Sequence, residues 1–514
     1  MANIADHLFR QARERGSKTA LIFEERRYSF ADIAERVRRL AGGLAILGVD
    51  VGSRVGIMVN ARPEFIFFQQ AVFALGGIVS PLNIFYRKNE IAHAIQSCDL
   101  QFLVIGREFL PNLPELGRAG TETMRRVVVI DLPPQEESGI LVSAARLENA
   151  GNPIAEPVDL ASDAIGLLLN TSATTGKAKG VMLSIANIRA NYDPTPAWLG
   201  LDGSTVTLCA LPLYNTFGLN QGINALMATG ATMVLMRKFD AGLCLKAIQD
   251  HRCTFFPGVP TMLQKLFDHP EAPRYDLTSI RRVMTGAAPV PAALLERIYA
   301  SMGRDTVVMT GYGLTEATAI VSLEHIELGP DGRVLRPKSI GKVLPGIEMR
   351  LVAEDGREAT PGEVGEICVR GPNVMQGYYK MPDQTAIAIR DGWLHTGDLG
   401  LRDVDGHGYI VDRKKDVIIR GGQNIYPVDI EEVIYRHPGV REVAVIGVPD
   451  DTLGETPVAF VALQTPQSTT AEAIIAYCKE ELAYFKVPSA VHFLPELPKG
   501  PTGKILRRGL RPQG

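Results

Sequence analysis

Residues 164–180 read AIGLLLNTSATTGKAKG. The apolar run from Ala164 to Leu169 has the character of a buried strand, and it leads straight into a turn of hydroxyls, small residues and two lysines. A turn of that composition can wrap a polyphosphate with backbone N–H groups and side-chain donors. It is not a Walker A loop, because Gly176-Lys177 is followed by Ala178 and Thr171 stands five positions before Gly176. In isolation the same letters describe an ordinary Ser/Thr-rich turn, so the rest of the chain decides.

Upstream, helical stretches (Phe30 to Leu47, Pro63 to Leu75, Lys88 to Gln96) alternate with short apolar runs at Arg54 to Val59, Phe102 to Ile105 and Val127 to Ile130. That alternation predicts crossover units on a parallel sheet. Downstream the pattern repeats to about Met309, with Thr232 to Met236 and Thr306 to Met309 as further strands, so two doubly wound halves are expected. From Ser339 to Ile410 short strands separated by glycine turns predict a small β-rich unit. The last hundred or so residues read as a compact α+β module, with a helix from Thr469 to Leu482 opened by a Thr469/Glu472 capping box.

Composition bounds the function. The chain has 514 residues, enough for about two to four domains, and 54 basic against 57 acidic residues leave a net charge of −3. So small a net field argues against a nucleic-acid binder, and 46% apolar residues argue against disorder. No two of the six cysteines (Cys98, Cys209, Cys244, Cys253, Cys368, Cys478) make a CxxC pair, so they read as buried, reduced thiols of a cytoplasmic protein. The start, MANIADHLFRQARERG, lacks the apolar core of a secretory signal. Phe65 to Phe85 carries no charge over 21 positions, but Gln69, Gln70, Gly76, Gly77, Pro81 and Asn83 interrupt it. It is expected to be a buried helix running into a buried strand, not a membrane span.

Four further segments stand in order behind the loop: Gly311 to Glu316 (GYGLTE), Trp393 to Gly400 (WLHTGDLG), Asp412 to Pro427 (DRKKDVIIRGGQNIYP) and Pro498 to Arg508 (PKGPTGKILRR). With these five motifs nearly the whole chain resembles the acyl-adenylate-forming superfamily, which holds acyl- and aryl-CoA synthetases, luciferases and peptide-synthetase adenylation domains. The resemblance implies an α/β fold: a large N-terminal domain of two doubly wound parallel-sheet subdomains plus a small β-rich subdomain, and a small mobile α+β C-terminal domain. The expected division is 1–411, a hinge at 412–416, and a lid at 417–514.

The resemblance also implies roles. Thr171, Ser172, Ala173, Thr174, Thr175, Gly176 and Lys179 match the loop that holds the β- and γ-phosphates of ATP, and Ser172 and Glu316 match the groups that meet Mg²⁺. Gly286, Ala287 and Ala288, with Gly311 and Tyr312, match the adenine pocket, and Gly313 and Thr315 match further ATP-binding positions. Asp398 resembles the acceptor of both ribose hydroxyls, and Arg413 a donor to the same sugar. Lys504 matches the lysine brought onto the substrate carboxylate and α-phosphate, a compact cation where negative charge develops. Lys415 falls at the hinge position, and Gly421 and Gly422 match the lining of the coenzyme A tunnel.

Two departures stand out: Ala173 replaces a usual glycine, and Asn215 in Leu211 to Gly218 (LPLYNTFG) replaces a usual histidine or aromatic residue. Where the related synthetases for short dicarboxylates tend to have an arginine just before YGLTE to pair the second carboxylate, this chain has Gly311. Phe217, Val259, Gly286 and Gly311, with Asn215 beside them in the expected acyl pocket, therefore suggest an apolar slot for a fatty or aromatic monocarboxylate. The expected activity is an AMP-forming acyl-CoA synthetase using ATP, Mg²⁺ and coenzyme A on a small carboxylic acid, with a homodimer left open. A stand-alone adenylation enzyme with another acceptor, and a non-catalytic sensor, remain as alternatives. No GxSxG occurs, which disfavours a serine hydrolase.

Overall fold

The computed structural model describes residues 3–117, 121–171, 179–450, 452–499 and 505–510. Packing divides the chain into two units, Met1–Glu348 with Val369–Leu394, and Met349–Cys368 with His395–Gly514.

The first unit is built on two sheets. One is eight-stranded, in the order Gly377–Tyr378, Gly180–Ser184, Ile165–Asn170, Ile78–Pro81, Arg54–Met58, Phe102–Gly106, Arg126–Ile130 and Leu141–Ser143. It is parallel from Ile165–Asn170 onward and antiparallel at Gly180–Ser184 and Gly377–Tyr378. In the other, Val307–Gly313, Arg282–Thr285, Phe255–Gly258, Val206–Cys209, Thr232–Leu235 and Thr19–Phe23 run parallel as successive neighbours. Arg26–Ser29 and Ile320–His325 flank them antiparallel.

The two sheets do not divide the chain into consecutive halves. Ile165–Asn170 joins the earlier strands through Val79 and Leu167, while Thr19–Phe23 pairs with Thr232–Leu235. Parallel partners come from distant segments through crossovers, and apolar runs buried on both faces carry little partner information.

The helices follow their local chemistry. Phe30–Ile46 opens on a Ser29/Asp32 capping box and buries Phe30, Ile33, Val37, Leu40 and Leu44 on one face. Pro63–Ala74 buries every residue except Glu64, then leads into the buried strand Ile78–Pro81. This is the interior reading expected for the uncharged stretch. Phe65, Phe67 and Phe68 are at most 1% exposed, each contributing about 2–3 kcal/mol of apolar burial. No helix among the described residues is long and apolar enough to cross a membrane.

In the second unit, Trp393–Arg402 pairs antiparallel with Gly408–Arg413. The C-terminal module sets Gln423–Ile425, Ile418–Arg420, Gly454–Leu463 and Val440–Asp450 side by side, with Ala490–Phe493 added parallel to Gly454–Leu463. Ile430, Val433 and Ile434 of helix Pro427–Tyr435 and Ile474 and Cys478 of Ala471–Glu481 pack in one core with Val443, Val445 and Val461. The cap of that last helix is Thr470 and not Thr469: Thr470 Oγ1 accepts the Ala473 N–H at 3.2 Å, while Thr469 Oγ1 lies 3.5 Å from His437 Nε2. All six cysteines are buried thiols outside any disulfide, as the sequence led us to expect.

Candidate active site

The loop that opened the reading leaves strand Ile165–Asn170 and returns in Gly180–Ser184, and the Thr171 N–H donates to Lys179 O at 3.0 Å across its mouth. Ser172, Ala173, Thr174, Thr175 and Gly176 lie outside the described residues. Beside the mouth, Gly377–Tyr378 pairs with Val181 and Met182. Lys179 Nζ sits 4.6 Å from the centre of the Tyr378 ring and donates to Gln384 Oε1 at 2.9 Å. The Tyr378 hydroxyl in turn donates to Glu316 Oε1 at 3.1 Å. Burial first, and then the neighbouring Glu316 carboxylate, push the Tyr378 hydroxyl well above its usual pKa, so it remains a donor. Lys179 and Glu316, far apart in sequence, thus share one tyrosine that the motifs did not name.

Glu316 lies in the 3₁₀ turn Thr315–Ala317, and its carbonyl accepts the Met375 N–H at 2.9 Å. Two strained backbones mark the neighbourhood: Thr318 at φ +69° and Ala287 at φ +62°. Conformations of this kind cost about 1–3 kcal/mol each and gather at functional sites. Thr318 Oγ1 donates to Asn373 O at 2.6 Å, which holds its turn in place.

Strand ends gather the acyl-pocket candidates. Val206–Cys209, Phe255–Gly258, Arg282–Thr285 and Val307–Gly313 are adjacent and parallel, and their carboxyl ends deliver the Asn215/Phe217 segment, Val259, Gly286 and Gly311. Carboxyl ends of parallel strands are where open α/β sheets hold ligands. A Cβ on Gly286 would lie 3.5 Å from the Gly311 carbonyl, which puts these two glycines side by side. At Gly311 itself a Cβ would come within 2.5 Å of Ser322 O and at Gly313 within 1.8 Å of Ala319 O, so the neighbouring strand and the residue leading into it already require both glycines. Tyr312 is 6% exposed. Asn215 has a local duty: its Oδ1 accepts the Gly218 N–H at 2.9 Å, at the start of the π-helix Gly218–Asn224. A histidine or aromatic ring would leave that N–H without this acceptor.

The second unit holds the ribose candidates. Asp398 and Arg413 face each other across Trp393–Arg402 and Gly408–Arg413, with Arg413 Nε 3.3 Å from Asp398 Oδ1. Lys415 is exposed in the 3₁₀ turn Lys414–Asp416. Around that turn Arg507 donates to Asp412 Oδ1 (3.2 Å), Asp416 Oδ2 (3.3 Å) and both oxygens of Glu431 (2.8 and 2.9 Å). Gly421 and Gly422 are exposed with φ of +55° and +79°. Lys504 lies outside the described residues.

Residues 8–379 match the family model of AMP-binding enzymes, and residues 429–504 match the model of the AMP-binding enzyme C-terminal domain. The chain belongs to the AMP-binding enzymes. This is the acyl-adenylate-forming superfamily that the five motifs resemble. The chain is 35% identical to a long-chain-fatty-acid–CoA ligase of Bacillus subtilis, over 96% of this chain and 91% of that one. It is also 35% identical to a feruloyl-CoA synthase of an Amycolatopsis species, over 98% and 97%. Among solved structures, the o-succinylbenzoate–CoA synthetase of B. subtilis in complex with ATP and magnesium covers 99% of both chains, at 30% identity and a TM-score of 0.84.

As an AMP-binding enzyme the chain is an AMP-forming acid–thiol ligase, with ATP and coenzyme A as co-substrates and Mg²⁺ as its metal. The site suits that ion. Among the described residues no cluster of three His, Cys, Asp or Glu forms a metal cage. Mg²⁺ held by a single carboxylate and by nucleotide phosphates needs none.

Proposed function

We propose that this acyl-CoA synthetase acts in the cytoplasm on a fatty or aromatic monocarboxylate. The supporting observation is the set of strand ends above, where Asn215, Phe217, Val259, Gly286 and Gly311 offer no charge to a second carboxylate. An acid with an apolar tail leaves such a wall satisfied, whereas a second carboxylate buried there without a cation would be costly.

In the first step a carboxylate oxygen attacks the α-phosphorus of ATP, the bond to the β-phosphate bridge breaks, and pyrophosphate leaves. The chain contributes position and charge instead of a nucleophile. Lys179, steered by Tyr378 and Gln384, meets the phosphates, with Thr171 and Ser172 to Thr175 on the same loop. Glu316 with Ser172 would hold Mg²⁺, which would supply charge neutralisation on the phosphates. Asp398 and Arg413 hold the ribose, and Gly286 to Ala288 with Tyr312 hold the adenine. Lys504 stabilises the charge that develops at the α-phosphate. In the second step the coenzyme A thiol attacks the acyl carbonyl and AMP leaves. Between the steps the lid, residues 417–514, turns about Lys415, and Gly421 and Gly422 then line the path of the thiol.

A panel of fatty, aromatic and short dicarboxylic acids, read by pyrophosphate release with and without coenzyme A, tests this reading. Release with apolar monocarboxylates, and thioester only when the thiol is added, is the expected result. Preference for a dicarboxylate would overturn the substrate class, and adenylate without thioester would point to another acceptor. Lys504→Ala should abolish pyrophosphate release while thioester formation from preformed acyl-adenylate persists.

A further inference from the structure

Glu366 belongs to none of the motifs, yet it stands at a junction of two of them. It lies on strand Gly365–Arg370 with its side chain only 10% exposed. Its Oε1 accepts the Gly397 N–H at 3.3 Å. Its Oε2 accepts from Lys414 Nζ at 3.1 Å and lies 3.2 Å from His395 Nδ1, which also sits 3.3 Å from Cys368 Sγ. Gly397 immediately precedes Asp398, and Lys414 immediately follows Arg413. One carboxylate thus accepts from the backbone beside one ribose candidate, at Gly397, and from the side chain beside the other, at Lys414.

The rest of the segment is held to match. Thr396 Oγ1 donates to Ile367 O at 2.8 Å and accepts the Asp398 N–H at 3.1 Å. Gly397 takes φ +73°, so the turn into Asp398 is sharp and its direction depends on what holds that N–H. A buried carboxylate is costly unless donors surround it, and here both oxygens are engaged. Burial works against the charge of Glu366, and hydrogen bonds from His395 and Lys414 outweigh it, holding the carboxyl below its usual value. An acceptor on both sides is what this position requires. A glutamine would turn an N–H₂ toward Gly397 or toward Lys414, each of which is itself a donor.

We propose that Glu366 is a positioning residue for the nucleotide sugar, fixing the peptide ahead of Asp398 and, through Lys414, the segment that carries Arg413. This rests on the ribose roles proposed above for Asp398 and Arg413. Glu366 itself touches no substrate. It acts by presetting two side chains whose angle toward the 2′- and 3′-hydroxyls decides their hydrogen bonds.

Calorimetric binding of Mg·ATP and Mg·2′-deoxy-ATP to the full chain tests it, because the ratio of the two Kd values reports contact with a ribose hydroxyl and not general stability. The unsubstituted chain should prefer ATP, and Asp398→Ala should erase the preference. Glu366→Gln should raise the Kd for ATP roughly tenfold and move that for 2′-deoxy-ATP by no more than about twofold, closing most of the gap. Lys414→Ala, at a side chain 63% exposed, should close part of it. A preference unchanged in Glu366→Gln, with Asp398→Ala erasing it, would overturn the proposal alone. A preference absent from the start, or unmoved by Asp398→Ala, would overturn the ribose assignment and the proposal with it.

Discussion

The Tyr378 hydroxyl donates to Glu316 Oε1 across 3.1 Å while the face of the same ring carries Lys179 at 4.6 Å. The carboxylate assigned to Mg²⁺ and the lysine assigned to phosphate therefore share one rigid support. Tyr378→Phe keeps the ring under Lys179 and removes only the donor. It should raise the Mg²⁺ concentration needed for half-maximal pyrophosphate release about three- to tenfold, with KM for ATP at saturating Mg²⁺ nearly unchanged. Tyr378→Leu removes both supports and should raise both quantities. A phenylalanine variant with unaltered Mg²⁺ dependence would show that Glu316 does not need this tyrosine.

Tyr378 also shows where reading a sequence stops. Thr171, Lys179, Glu316, Asp398 and Arg413 stood out because their motifs resemble those of the superfamily, and their roles rest on that resemblance. Tyr378 meets Glu316 over 62 residues and Arg507 meets Asp412 over 95, and no local pattern encodes either contact. The sheets divide in the same way. Strands such as Arg54–Met58 and Thr232–Leu235 were foreseeable from apolar runs, but the placement of Ile165–Asn170 beside Ile78–Pro81 was not. Strand Val307–Gly313 continues past its apolar letters into GYG because its pairing with Ile320–His325 holds the backbone extended. Asn215 stood out as a departure from a usual histidine or aromatic residue, and its contact with the Gly218 N–H gives it a structural task.

Arg507 joins Asp412 and Asp416, which flank Lys415 on opposite sides, to Glu431 of helix Pro427–Tyr435. Asp412 is 4% exposed and also accepts the Val428 N–H at 3.2 Å. Removing one partner from such a buried cluster strands the others, at a cost of about 3–5 kcal/mol. Arg507→Ala should therefore lower the urea midpoint of the C-terminal module sharply. Arg507→Lys, which keeps the charge and loses the fork, should fall between. If the lysine variant matched the parent, charge alone would explain the contact.

The buried thiols make a prediction about pH. Burial pushes Cys98 and Cys478 up to about 11 and Cys209, Cys244 and Cys253 up to about 12, from an ordinary value of 9.0. The folded state thus favours the protonated thiol. The stability this gives is complete below about pH 9, where the unfolded thiols titrate, and drains away as pH rises toward the folded values of 11 to 12. The urea midpoint should fall between pH 8 and about 10.5, and more steeply than in a variant with alanine at these cysteines. At pH 8 an aromatic disulfide reagent should modify none of the six cysteines within minutes in buffer and all six in urea.

Gly422 separates backbone strain from obstruction. Its φ of +79° penalises any side chain, while a Cβ there would meet no atom within 4 Å. Gly422→Ala should thus cost about 1–2 kcal/mol of stability in the lid and leave both half-reactions largely intact. Gly422→Leu carries the same strain plus bulk. If the thiol travels past this glycine, the leucine variant should release pyrophosphate at close to the rate of the alanine variant and lose thioester formation at least tenfold, or about 1.4 kcal/mol in the barrier. Equal losses in both half-reactions would mean that the leucine only distorts the turn beside Gly421, whose N–H donates to Leu453 O at 2.7 Å, and the tunnel assignment would fall.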